Sequence, residues 1–330
     1  MENPNKLLIT VAIPAFKDKY LHECIDSILA QTYGNYEIVI VNDASPFDID
    51  TIVSSYTDSR IRYYKNKKNY GAVRVVDNWN KCLEYAKGDY IICMGDDDVL
   101  LPNCLEDYVS LVDKYPGLGV YHSWTEIIDE NSQFKNITAA RCEYESVYSL
   151  IWHRWNGRVQ QFVGDFMYDV RLLRQNGGFY FLPLAWASDD ISAIIAAIPY
   201  GIANTQKPGF CYRSNSSTIS STGNVDIKMK AISEEKEWYA TFLKEEPINE
   251  LDKKFWLCIK KQFNQFFEKK KGLTVAADLL GSSSLRLFRW IVLRKKYNLS
   301  IGTLLYAVVE ARKRKGVHIR ETNRPVDPKS

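Results

Sequence analysis

The chain has 330 residues and a mass of 38.1 kDa, with 46% apolar, 13% aromatic and 25% charged residues. This composition excludes a disordered, collagen-like or coiled-coil chain and leaves room for one large domain or two ordinary ones. The net charge of +3 hides an asymmetry: from Leu251 onward there are 19 Lys/Arg against 6 Asp/Glu, and before it 24 against 34. Seven scattered cysteines without a C-x-x-C pair speak against a disulfide framework or a zinc knuckle. No run reaches the roughly 18 to 20 apolar residues of a membrane-spanning helix. Met1–Lys6 and Leu7–Ile13 lack the pattern of a secretory signal, so the expected location is the cytoplasm.

In chain order, Leu7–Ile13 reads as a buried strand ended by Pro14, and Tyr20–Gln31 as a helix with Leu21, Cys24, Ile25, Ile28 and Leu29 on one face. The unit repeats with strand Glu37–Asn42 and helix Asp48–Tyr56, then strand Ile61–Tyr64 and helix Gly71–Ala86. Strand Tyr90–Met94 leads into a helix from Asn103 to Tyr115. Such alternation implies a parallel sheet covered on both faces, with ligands beyond the carboxyl ends of its strands. Gly119–Ser220 mixes short strand-like runs with aromatic and polar residues and reads as more of the same domain. After Gly223 the pattern is helical to near residue 315, and Glu321–Ser330 reads as a polar end. The expected division is therefore 1–222 and 223–330.

The chemistry concentrates where strands end. Pro14-Ala15-Phe16 follows the first strand, Asn42-Asp43-Ala44-Ser45 the second, and Gly95-Asp96-Asp97-Asp98 the fourth. Three consecutive carboxylates after a buried strand repel one another and call for a cation, and oxygen ligands suit Mg²⁺ or Mn²⁺. The plainer alternative is a solvated acidic turn ahead of the helix after Pro102.

Together with Asn69-x-Gly71-x-x-Arg74, Ser188-Asp189-Asp190 and Tyr212-Arg213-Ser214-Asn215 followed by Ser220, these motifs resemble the inverting family 2 glycosyltransferases of GT-A fold over residues 5 to 222. The resemblance implies an α/β, Rossmann-like, mixed but mostly parallel sheet flanked by helices, here with a C-terminal helical extension. It implies that Pro14, Ala15 and Phe16 line a nucleotide-base pocket, uridine being the family's usual base, and that Asp43 bonds the base. Asn69, Gly71 and Arg74 would border the donor, with Arg74 near its phosphate or base, and Arg213 would belong to the donor-side loop. Asp97, Asp98 and Asn215 would be the ligands of Mn²⁺ or Mg²⁺, with Asp96 toward the ribose or donor sugar. Asp189 or Asp190 would be the general base for the acceptor hydroxyl. Two departures stand out: Gly95 occupies the first position of the usual Asp-x-Asp-Asp, and Asn215 replaces a loop histidine. They leave open a non-catalytic nucleotide-sugar-binding protein of the same fold. A nucleotidyltransferase would want a Gly-rich basic loop after the first strand, and Pro14–Asp18 is not one.

Read on their own, Asp43 could cap a turn, Arg74 could be an exposed helix residue, Arg213 could pair with a surface carboxylate, and Asp189 and Asp190 could cap helix Ile191–Ile198. His22, His122, His153 and His318 share no metal-ligand spacing.

The basic tail repeats apolar residues at Leu251, Phe255, Ile259, Phe263 and Phe266–Phe267 among lysines, and pairs Leu285, Phe288, Ile291 and Val292 with Arg286, Arg289, Arg294, Lys295 and Lys296. Basic amphipathic helices suit an anionic membrane surface, here the inner face; the alternative is that these faces pack internally under solvated lysines. The expected partners are a nucleotide-sugar donor, a glycan or lipid-linked glycan acceptor and such a surface. The acidic first 250 residues and the lack of a recognition module oppose nucleic-acid binding.

Overall fold

A computed structural model describes residues 7–215, 224–280 and 284–322. Ser220 of the expected loop, Gly223 and the polar end beyond 322 lie outside the described residues. The chain divides into two compact units: one runs to residue 222 and includes 247–255, the other holds 223–246 and the chain from 256. The division expected from sequence leaves out the return of 247–255 to the first unit, where Asp252 accepts a hydrogen bond from Ser146 and the rings of Phe255 and Trp152 lie 5.6 Å apart.

Among the described residues the first unit has ten strands: β1 Ile9–Ala15, β2 Tyr36–Asn42, β3 Ile61–Lys65, β4 Tyr90–Cys93, β5 Val99–Leu100, β6 Val120–Ile128, β7 Phe134–Ile137, β8 Tyr144–Glu145, β9 Phe166–Asp169 and β10 Ile202–Arg213. Their order is β3-β2-β1-β4-β9-β6-β10-β5, with β7 on β6 and β8 on β10. β1 to β4 pair in parallel, as do β6 and β10, but β9 runs antiparallel to both β4 and β6. The sheet is therefore mixed, where the repeat pattern alone implied parallel strands. Phe166–Asp169 is too short to show a period, and only its neighbours set its direction.

β1 and β2 are buried almost throughout because both faces are covered. Val11, Ile13, Ile38, Ile40 and Ile92 share a core with helices α1 Leu21–Leu29 and α4 Cys104–Lys114. The opposite face lies under α3 Val75–Tyr85, and α2 Ile49–Ser54 begins at Asp48, which accepts a bond from the Thr51 amide. β1 does not stop at Pro14 as expected. Pairing with β4 ends at Ala12, so the missing N–H of Pro14 interrupts no ladder on that side, and the strand continues along β2 to Ala15. The expected helix from Gly71 starts later, because Gly71 sits at φ +70° and a 3₁₀ turn, Ala72–Arg74, precedes α3.

Register then places the strand ends together. Ala15 lies opposite Asn42, and the Met94 amide, just past β4, bonds the Ala12 carbonyl. Helices α5 Val147–Trp155, α6 Val170–Gln175 and α7 Ser188–Ala197 complete the unit.

In the second unit, helices Val225–Phe242, Ser284–Leu293 and Ile301–Thr322 accompany the long helix that begins at Glu250 and ends at Leu279. Ile259 and Phe267 are buried, Phe255, Phe263 and Phe266 half-buried and Leu251 exposed, so packing takes up part of the first apolar stripe of the tail. No helix among the described residues is long and apolar enough to cross a membrane.

Ile40 is fully buried in β2 between the covering layers. Ile40→Ala is expected to destabilise the protein by about 2–5 kcal/mol through lost transfer and an unfilled cavity, read from a denaturant melt of each form.

Candidate active site

The loop after β4 is held from three directions. Asp96 Oδ2 accepts the amides of Phe16 and Lys17, each at 2.6 Å, tying this loop to the end of β1. Burial, then the charge of Asp97, pushes the Asp96 pKa up to about 6. Asp96, expected toward the donor sugar, thus has one oxygen committed to backbone. Asp98 is buried, and its Oδ1 accepts the Arg213 amide at 3.0 Å; burial and Asp97 hold its pKa well above the usual carboxylate range. Asp97 is the more open of the three. Its Oδ2 accepts Asn215 Nδ2 at 2.8 Å and lies 3.9 Å from Lys17 Nζ.

Gly95 has a steric reason to be glycine. A Cβ there would come within 2.8 Å of Asp98 Oδ2 and 3.0 Å of Asp97 Oδ1. The two carboxylates fold back over the position where the family pattern places another.

Arg213 is fully buried beneath this loop. Its Nε donates to the Asp97 carbonyl at 2.7 Å, its Nη atoms to the Asp129 carbonyl, Ser132 Oγ and Glu23 Oε2, and its guanidinium lies 4.1 Å from the Tyr20 ring centre. Expected on the donor side, or as a surface ion pair, it instead spends its donors on the protein itself and fixes the aspartate loop from below.

At the other strand ends, Pro14 is half-buried and Ala15 buried, and the Ala15 carbonyl accepts the Asp43 amide at 2.9 Å. Phe16 is exposed and meets Phe47 edge to face, with centroids 5.9 Å apart, leaving aromatic surface open beside the loop. Asp43 caps no following turn. Its carboxylate accepts Asn66 Nδ2 at 3.0 Å and the amides of Tyr70 and Gly71, anchoring the segment that carries Asn69 and Gly71. Asn69 is exposed, and exposed Arg74 pairs with Asp77. The Ala72–Arg74 turn packs against Pro183–Ala185, which leads into α7.

That second segment is strained and stapled. Leu184, Ala185 and Ala187 all have positive φ, an unfavourable conformation for residues with a side chain, and such strain collects at functional sites. Ser188 Oγ accepts the Leu182 amide and Ser192 Oγ the Tyr180 amide. α7 starts at Ser188 rather than Ile191, so Asp189 and Asp190 lie inside its first turn, where the helix amides favour negative charge. Asp190 is buried and bonds Arg154 through both oxygens, at 2.9 and 3.3 Å, and Gln161 Nε2 at 2.6 Å. Asp189 is only partly buried by exposure, yet desolvation and then its neighbour Asp190 push its pKa up to about 7.

Residues 161–165 link the two halves. Gln161 holds Asp190, Phe162 stacks on Tyr212 with centroids 4.0 Å apart, and Gly164 packs against Met94 and Phe210. Asp165 is buried, its pKa pushed up to about 8 by burial, and stands 3.5 Å from buried His122, whose own pKa burial drives well down. Of Lys17, Arg154, Gln161 and Asp165, the last three do not stand out in the sequence. Lys17 alone had a local signal, a cation directly after Pro14-Ala15-Phe16.

The Asp97 carboxylate and the Asn215 amide are of the oxygen-donor class that suits a hard divalent cation. Among the described residues no group of three or more His, Cys, Asp or Glu is arranged to hold a metal by itself.

The fold is that of a GT-A glycosyltransferase. Residues 10–175 match the family described as glycosyl transferase family 2, and the chain belongs to that family. It is 33% identical over 133 residues to an uncharacterized glycosyltransferase of Rickettsia typhi, covering 40% of each chain. To glycosyltransferase GlyG of Streptococcus pneumoniae it is 32% identical over 125 residues, 36% of this chain and 40% of the relative. The chain thus spans about 40% of the length of these curated relatives. Among solved structures, S. aureus TarS 1-349 in complex with UDP-GlcNAc superposes with a TM-score of 0.62 at 15% identity, over 96% of this chain and 92% of that one. The mannosyltransferase PcManGT from Pyrobaculum calidifontis, in complex with GDP-Man and Mn²⁺, gives 0.50 at 14% identity, over 94% and 87%. At these identities the likeness establishes the fold.

Arg213→Ala would leave buried carbonyls and Glu23 without their donor. It is expected to cost on the order of 3 kcal/mol of stability, measured by denaturant unfolding, whether or not nucleotide is present.

Proposed function

We propose that the protein transfers a sugar from a nucleoside diphosphate donor, a UDP-sugar by family resemblance, to a saccharide or lipid-linked saccharide with inversion, in surface polysaccharide assembly. The observation that carries this reading is the coupling through residues 161–165. One short segment bonds the Asp190 carboxylate and buttresses the Tyr212–Asn215 loop against Asp97.

On this reading the exposed faces of Phe16 and Phe47 stack the base, and the segment anchored by Asp43 borders the nucleotide. Asp97 with Asn215 would hold Mg²⁺ or Mn²⁺, which when bound would neutralise the charge growing on the departing diphosphate. Lys17 adds a fixed positive charge beside it. The acceptor hydroxyl loses its proton to the Asp189–Asp190 pair as its oxygen attacks the anomeric carbon, and the bond from that carbon to the diphosphate breaks on the opposite face. The nucleoside diphosphate leaves, and the single displacement inverts the centre. Within the pair, Asp190 is clamped by Arg154 and Gln161, whereas Asp189 is more open and titrates near neutrality, which suits a general base. Asp189 is the proposed base, with Asp190 the neighbouring charge that raises it.

The donor assignment is tested by thermal shift with UDP, GDP and dTDP, each with and without Mn²⁺. One nucleotide should stabilise the protein in a metal-dependent way, by about 2.7 kcal/mol at a hundredfold excess over its Kd, and Asp97→Ala should remove the effect. Absence of any nucleotide effect refutes the reading. Metal-dependent binding without transfer or hydrolysis favours the non-catalytic sugar-nucleotide binder instead.

The base assignment predicts a pH profile. Asp189 acts only when deprotonated, so kcat should rise with pH through about 7 and level off above it. Asp189→Asn should lower kcat by about 10²–10⁴-fold and erase the acidic limb. If Asp190→Asn does this while Asp189→Asn keeps the limb, the roles are exchanged.

A further inference from the structure

The second unit carries two apolar surfaces where one suffices for folding. In the helix Ile301–Thr322, Leu304, Ala307 and Ala311 are buried along one face. Ile301, Leu305 and Val309, at i, i+4 and i+8, form a separate stripe rotated away from them and are exposed. The helix Ser284–Leu293 repeats the pattern: Trp290 is fully buried on one side, and Phe288, Ile291 and Val292 are exposed on the other. These six side chains are each between 50% and 65% exposed. Single exposed apolar residues need no explanation, but a helical stripe on each of two helices does.

The charges beside these stripes select the occupant. Lys295, Lys296, Arg312 and Lys313 are exposed next to them in sequence, within a region of 19 Lys/Arg against 6 Asp/Glu. Arg286 and Arg289 already have carboxylate partners in Asp278 and Asp226, so the net excess rests on the others. A second copy meeting this face about a two-fold axis would bring like cations together, which opposes association. An anionic bilayer accepts both features: apolar side chains enter the headgroup boundary while the lysine and arginine stems reach up to lipid phosphates.

We propose that the exposed stripes Phe288, Ile291 and Val292 and Ile301, Leu305 and Val309 form a peripheral docking surface for an anionic lipid bilayer. The surface requires no nucleotide, so it stands or falls apart from the transferase reading.

The experiment is co-sedimentation of the full chain, without nucleotide, with vesicles of phosphatidylcholine alone or mixed with phosphatidylglycerol. Binding should be at least about tenfold stronger to the mixed vesicles and should be released by high salt. Phe288→Ser with Val292→Ser, and separately Leu305→Ser with Val309→Ser, should each weaken it about tenfold. So should Lys295→Glu with Lys296→Glu, while helical circular dichroism and the melting temperature stay unchanged. No binding to the mixed vesicles, equal binding to both, or binding indifferent to these substitutions overturns the proposal. A dimer in light scattering that the same serine substitutions convert to monomer also overturns it, and assigns the face to a second copy.

Discussion

The site depends on one buried cation. The Arg213 guanidinium sits under the loop after β4 and joins, in one cluster of charge-assisted hydrogen bonds, the last residue of β10, the backbone of Asp97, the turn at Asp129–Ser132 and Glu23 of α1. Three acidic residues in sequence would otherwise force their loop into solvent. Instead backbone amides at either end let two of them be buried, while the guanidinium holds the main chain of the loop. Asp96 takes the amides from β1, Asp98 takes the amide of Arg213, and Asp97 keeps the more open carboxylate.

The cost is visible in the pKa shifts. Asp96 and Asp98 are both held above the ordinary carboxylate range, chiefly by burial and then by Asp97, so the loop carries electrostatic strain that a bound cation would relieve. Gly95 is part of the same arrangement, since a side chain there would strike the carboxylates. The departure from the family's acidic pattern and the missing loop histidine are thus accommodated together. Asn215 donates to the carboxylate that Gly95 gives room to.

The bend into α7 follows different physics. Leu184, Ala185 and Ala187, all with positive φ, bend the chain into α7 so that Asp189 and Asp190 enter its first turn, and serine side chains staple the bend. Strain in the backbone is offset by hydrogen bonds, and the two carboxylates differ in that Arg154 and Gln161 hydrogen-bond Asp190.

The sequence by itself determined the strands, their helices and the places where chemistry collects. The apolar runs of β1, β2 and β4 and the period of α1 follow from burial on both faces of a sheet, which leaves a local imprint, and glycine, aspartate and proline punctuate the strand ends. Those motifs sufficed to identify the family. Tertiary structure alone decided the antiparallel course of β9, which spans four residues and takes its direction from β4 and β6. It decided that Arg213 is a buried scaffold, that Asp43 anchors a neighbouring loop, and that Asp190 is met by Arg154 and Gln161, 36 and 29 positions away. Local pattern reports how a segment divides between core and water. Which donor meets which carboxylate depends on distances across the fold, and no spacing along the chain encodes them.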